Sequence, residues 1–239
     1  MYKKIVAIGG GEIGKVKKDK TRSNYETKEQ DEKIIELTGK EKPNFLFIGH
    51  AEPIEHQKSY YKTMRDIYNK MYGCPYKTIR SSDLENTEKV KELIDWADII
   101  YEGGGNTKRM LELWNDTGFN IILKEALMKL KVLCGISAGA SCWFSECLTD
   151  SLRLENENAP LIIIPGLNFV DGVFVPHANE EKKKIIKKYL KNTNKYAYLV
   201  SDCAALLINN DKIEVVKSRN DAYCIKAYWK NNKFYEEEL

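Results

Sequence analysis

At 239 residues, with 43% hydrophobic and 31% charged side chains, the chain has the balance of an ordinary globular protein with material for a sizeable core, unlike a disordered sequence. Its 38 basic and 35 acidic residues leave a net charge of +3 spread along the whole length, which gives no footprint of a nucleic-acid binder. The first apolar run, about five residues before a glycine cluster, is too short for a signal-peptide core or a membrane span, so the expectation is a cytoplasmic protein with no membrane partner.

Apolar runs at Lys4–Ile8, 44–48, Tyr76–Ile79, 98–101 and 131–136 read as strands. They alternate with stretches at 27–37, 56–71, Thr87–Trp96 and 107–130 that carry apolar residues at helical spacing, the last interrupted near Gly118. Such alternation builds βαβ units, and four crossovers predict an α/β fold with a doubly wound, mostly parallel sheet covered by helices on both faces. The charged segment 15–27 lacks periodicity and reads as a mobile loop or a solvated helix start. Beyond Phe144 the texture changes to shorter strands and turns around one helix, Glu180–Leu190. Strands at Tyr196–Val200, 204–208, 213–216 and 223–229 are expected to complete the sheet and add an antiparallel edge, within a single domain spanning 1–239. Six cysteines (Cys74, Cys134, Cys142, Cys147, Cys203, Cys224) form no C-x-x-C pair and read as reduced, structural thiols.

Gly135-Ile136-Ser137-Ala138-Gly139 fits G-x-S-x-G, directly after the apolar run Val132–Ile136 and before a helical stretch. A turn this sharp tolerates only small neighbours, lifts the serine hydroxyl to the top of the sheet and aims helix N–H groups at it. Ser137 is therefore the candidate nucleophile. A serine hydroxyl needs a base that titrates near neutrality, and the chain has three histidines. His177 follows the apolar run 172–175 and is the candidate base; His50, after the strand near 45–48, could instead line the pocket, and His56 opens a polar helix. The base needs an acid to orient it, and Asp150 and Asp202 both qualify; spacing does not choose between them. For the oxyanion, Ala138 N–H supplies one donor and the 103–107 loop, Gly-Gly-Gly-Asn-Thr, the other, with Gly104 favoured. Asn106 and Thr107 are candidates for substrate contacts, although either would also serve as an N-cap.

These three segments, YEGGGNT before a helix, GISAGAS at an elbow and VPHAN downstream, together resemble the peptidase E and cyanophycinase family of serine peptidases. The resemblance spans most of the chain, with the family's glycine loop on 103–107, its nucleophile segment on 135–140 and its base segment on Pro176-His177. It implies a doubly wound fold related to class I glutamine amidotransferases, acyl-enzyme chemistry on Ser137, a small peptide as partner, and neither metal nor cofactor. The two acids offered for such proteins match Asp150 and Asp202. This chain has Ser201-Asp202-Cys203 where the family commonly has Glu followed by Gly, and its strand-end position favours Asp202. Peptidase E removes N-terminal aspartate and cyanophycinase cuts an aspartate–arginine polymer, so an aspartyl substrate is implied, with Arg109, Arg153 and Arg219 as candidates to hold its carboxylate. The resemblance leaves monomer and homodimer both open.

Two readings compete. Gly9-Gly10-Gly11-Glu12-Ile13-Gly14 fits the dinucleotide fingerprint G-x-G-x-x-G, though the charged run after it makes a poor helix to pack on a sheet. A non-catalytic binding module on the same fold is the other.

Overall fold

The structure, a computed structural model, describes residues 3–15, 21, 23–210 and 212–239. Strands β1 (Lys4–Ile8), β2 (Phe45–Ile48), β3 (Tyr76–Ile79), β4 (Ile99–Glu102) and β5 (Val132–Ile136) pair in parallel, and β10 (Ala204–Asn209) and β11 (Lys212–Lys217) extend the sheet antiparallel beyond β1. The order is β11-β10-β1-β5-β4-β2-β3. Alternate residues of each strand go to opposite faces, as a pleat requires. Val6, Phe45, Phe47, Tyr101 and Cys134 pack with Ile34 of α1 (Lys28–Leu37), Met64 of α2 (Ile54–Met64) and Tyr68 of the π-helical stretch Arg65–Met71 that continues it. Ile5, Leu46, Ile100 and Leu133 face the other way, onto Ile94 of α3 (Thr87–Trp96), Trp114 of α4 (Thr107–Thr117) and Leu123 of α5 (Phe119–Met128). The predicted break near Gly118 is present: this residue adopts φ 71°, caps α4 and starts α5.

The second half departs from the single-sheet expectation. A four-residue helix, α6 (Ala138–Ser141), leads into β6 (Phe144–Thr149), which joins β7 (Ile162–Pro165), β8 (Val170–Val175), β9 (Tyr196–Val200), β12 (Cys224–Lys230) and β13 (Lys233–Glu238) in a second sheet, ordered β13-β12-β9-β8-β6-β7. Tyr196–Val200 belongs to this sheet, and only 204–208 and 213–216 supply the expected antiparallel edge of the first. The reason is the two-faced burial of these strands. Phe144, Phe174 and Tyr198 turn one face to the core shared with the first sheet, while Val173, Val175 and Leu199 turn the other to Ile186 and Leu190 of α7 (Glu180–Leu190). All six cysteines are free and buried. Of the segment 15–27, residues 16–20 and 22 lie outside the described residues; beside them the chain pairs with itself, Gly14 N–H donating to the Asn24 carbonyl and Glu26 N–H to that of Glu12. Among the described residues, no helix is long and apolar enough to cross a membrane, and no group of three or more His, Cys, Asp or Glu could hold a metal ion.

One buried acid sets a pH dependence. Asp31 of α1, 1% exposed, accepts hydroxyl hydrogens from Tyr25, Thr27 and Tyr68, yet burial outweighs these donors and pushes its carboxyl up to about 6. A group that holds its proton more tightly folded than unfolded stabilises fully below its unfolded range, and that contribution fades as pH rises through about 6. The loss is about 3 kcal/mol. In denaturant titrations from pH 4 to pH 7, the stability gap between wild type and Asp31→Asn should narrow by that order as pH rises; a gap independent of pH would contradict it.

Candidate active site

Three consecutive carbonyls at the end of β1 gather the reactive segments. Ile8 C=O accepts the Ser137 N–H at 2.9 Å, Gly9 C=O the His177 N–H at 3.1 Å, and Gly10 C=O the Cys203 N–H at 2.9 Å. Each of these partners follows a strand, β5, β8 or β9, and each has left-handed backbone, with φ of 54°, 47° and 62°. Non-glycine residues hold such conformations only where their surroundings over-determine them, at a cost of roughly 1–3 kcal/mol each. At Ser137 this is the nucleophile elbow, and α6 begins at the next residue. Close approach beneath the elbow requires Gly139, where a Cβ would lie 2.2 Å from the Glu102 carbonyl.

The side chains meet in one line. Ser137 Oγ lies 2.8 Å from His177 Nε2, and His177 Nδ1 lies 2.6 Å from Asp202 Oδ1. His177 and Asp202 are about half exposed, at 42% and 50% of their side-chain surface, so substrate can reach the pair. The hydrogen bond from His177 holds the Asp202 carboxyl below its usual range, and the positive charges of Lys182 and Arg219 act in the same direction. Lys182, which sequence reasoning passed over, is buried with Nζ on the Pro176 carbonyl at 2.7 Å, directly behind the base.

Gly10 explains the glycine cluster after β1. A Cβ there would stand 2.1 Å from Asp202 Oδ1 and 2.3 Å from the His177 ring, so the turn serves the His–Asp pair. No helix starts on these glycines, and residues 12–15 run on to pair with 23–26. The dinucleotide reading is thereby corrected.

Other sequence-based expectations change as well. Asp150 is exposed in the turn after β6, where its carbonyl accepts the Arg153 N–H, and the His177 Nδ1 is taken by Asp202. Asn106 and Thr107 are buried and occupied. Asn106 caps α4 by accepting the Arg109 N–H and donates to the Ser151 carbonyl, while the Thr107 hydroxyl bonds that of Thr149, so neither side chain is free for substrate. Gly104 does sit against Ser137, but its N–H donates to the Tyr60 hydroxyl at 3.0 Å and is already engaged. Ala138 N–H stands in the first turn of α6, where a helix offers it no acceptor. His50 is buried and its Nδ1 accepts the Trp114 indole N–H at 2.9 Å; burial lowers its pKa to about 4, so it is a neutral packing residue. Arg153 pairs with Glu181, and Arg219 with Asp221 and Glu26. Arg109 donates to the Ala51 carbonyl at 2.7 Å and has no ion pair among the described residues.

The model of peptidase family S51 matches residues 4–216, which contain Ser137, His177 and Asp202. The chain belongs to peptidase family S51. It is accordingly a peptidase, and so a hydrolase. An uncharacterized peptidase of Bacillus subtilis (strain 168), YgaJ, is 31% identical over 230 residues, covering 95% of this chain and 91% of its own. A peptidase from an acI-B1 actinobacterium shares the fold at TM-score 0.71 and 19% identity, over 100% of this chain and 98% of that one. A Listeria monocytogenes EGD-e protein described as a peptidase E does so at TM-score 0.62 and 18% identity, over 91% and 99%.

Two substitutions test this geometry by peptide hydrolysis. Gly10→Ala should lower kcat by about 100-fold or more while the chain stays folded by circular dichroism, because displacing the His–Asp pair by about an ångström misaligns the base. Asp202→Asn should lower kcat by roughly four orders of magnitude and Asp150→Asn by less than about twofold; the reverse ranking would reassign the acid.

Proposed function

We propose that this peptidase is a serine enzyme that hydrolyses short peptides, with Asp-X dipeptides as its preferred class, through an acyl-enzyme on Ser137. The observation that carries the reading is the unbroken Ser137–His177–Asp202 chain, with its contacts of 2.8 and 2.6 Å. At that distance His177 Nε2 can take the Ser137 proton as Oγ attacks the scissile carbonyl. His177 then returns the proton to the leaving amine, and a water, activated by the same nitrogen, hydrolyses the ester. Asp202 accepts from Nδ1–H, which fixes the tautomer that leaves Nε2 free as a base, and its negative charge stabilises the imidazolium.

The tetrahedral oxyanion takes one hydrogen bond from Ala138 N–H. The second donor is the Tyr60 hydroxyl: it accepts the Gly104 N–H and keeps its own proton to donate, and burial raises its pKa so that it stays a neutral phenol. Arg109, beside the 103–107 loop and without an acidic partner among the described residues, is suited to the aspartyl carboxylate.

The test is release of amino acids from a panel of dipeptides. Wild type should cleave Asp-X peptides and Ser137→Ala none, while cleavage of no peptide by wild type would contradict the proposal. Arg109→Gln should raise KM for Asp-X by about tenfold or more with little change in kcat. Tyr60→Phe should lower kcat by about 100-fold with KM nearly unchanged, and an unchanged kcat would return the donor role to Gly104 N–H.

A further inference from the structure

Away from the triad, α2 and the outer strand β3 enclose an open groove of about 810 Å³. Lys58, Lys62, Arg65, Lys77 and Arg80 line it, and no carboxylate among the described residues does. Lys62 is neutralised by Asp66, and Lys77 lies over the Trp96 ring, 4.5 Å from its centroid. Lys58, Arg65 and Arg80 form no ion pair among the described residues. The groove thus holds three cations with no ion pair among the described residues, and an anionic occupant would relieve their mutual repulsion.

The backbone narrows the choice of anion. β3 is the last strand of its sheet and pairs only with β2, in the register Phe45 to Tyr76. Phe45 N–H donates to the Pro75 carbonyl at 2.8 Å, so the odd-numbered residues of β3 bond to β2. The N–H and C=O of Tyr76 and Thr78 therefore point outward, and both residues line the groove. An unpaired strand edge is a template for another extended chain. The Tyr61 and Tyr76 rings supply an apolar floor for alternate side chains of such a segment. A nucleic acid would use the cations and leave the strand edge unused; an acidic peptide uses both.

We propose that this groove binds an acidic peptide segment in extended conformation, which adds a strand to β3 while its carboxylates meet Lys58, Arg65 and Arg80. The site is separate from the hydrolytic centre. β3 stands three strand positions from β5, which carries Ser137 at its end, so the two lie roughly 14 Å apart across the sheet. It stands whether or not the triad prefers aspartyl substrates.

The probe is a fluorescein-labelled hexapeptide of alternating Glu and Val with blocked termini, followed by fluorescence anisotropy with the full chain. Binding should weaken steeply with salt, and a Lys–Val peptide should not bind. The double variant Arg65→Glu/Arg80→Glu should lose about tenfold or more in affinity. Thr78→Pro removes an outward N–H and no sheet bond, and should lose about fivefold while circular dichroism stays unchanged. Ser137→Ala should bind as wild type does, since the groove does not depend on turnover. Absence of binding at low salt, or equal affinity in the double variant, would overturn the proposal. Tighter binding of a dT12 oligonucleotide, or an unaltered affinity in Thr78→Pro, would also overturn it by showing an anion site without strand pairing.

Discussion

The functional end of this molecule depends on three successive carbonyls, those of Ile8, Gly9 and Gly10. Each accepts one N–H from a different strand-end turn, and together they fix the backbone of Ser137, of His177 and of the residue after Asp202 relative to a single strand. The registers of β1 with β5 and with β10 bring two of these turns alongside it, and the second sheet delivers the third through β8. Left-handed backbone at Ser137, His177 and Cys203 is the local cost, and the core that the two sheets share holds it in place. Three side chains carried by distant segments are thus brought into line by main-chain hydrogen bonds.

Charge is distributed to suit that arrangement. Ionised groups lie at the open end, where Asp202 is kept as a carboxylate by His177 and by the cations of Lys182 and Arg219. Beneath them Glu102 and His50 are held neutral. Burial raises the Glu102 carboxyl far above the usual range although its Oε1 accepts the Ala51 N–H, and lowers His50. Glu102 thereby ties the 50–52 turn to the end of β4 without placing a second negative charge beneath Ser137.

Much of this was legible in the sequence, for reasons that are themselves physical. Four of the five parallel strands, β1, β2, β4 and β5, are short, largely apolar runs because both faces are covered, and the elbow is visible because only Gly135, Ala138, Gly139 and Ala140 fit so sharp a turn. The second sheet was less legible: FSECLT and VDGVFV mix polar and apolar residues, IIIP is only four residues long, and nothing local says which sheet a strand joins. The glycines after β1 carried a real signal that two chemistries could explain, and only the proximity of Gly10 to His177 and Asp202 decides between them. Asn106 and Thr107 lie in a motif and were read as functional, whereas they hold the motif together. Tyr60, by contrast, lies 44 residues from Gly104, and no spacing rule connects them.

The most direct measurement of the central claim is covalent capture of the nucleophile by a fluorophosphonate, followed by intact-mass analysis and peptide mapping. The account predicts one adduct on Ser137 in the wild type, and labelling at least about 100-fold slower in His177→Ala, since the serine is activated by that imidazole. An adduct elsewhere, or equal labelling rates in the two proteins, would contradict it.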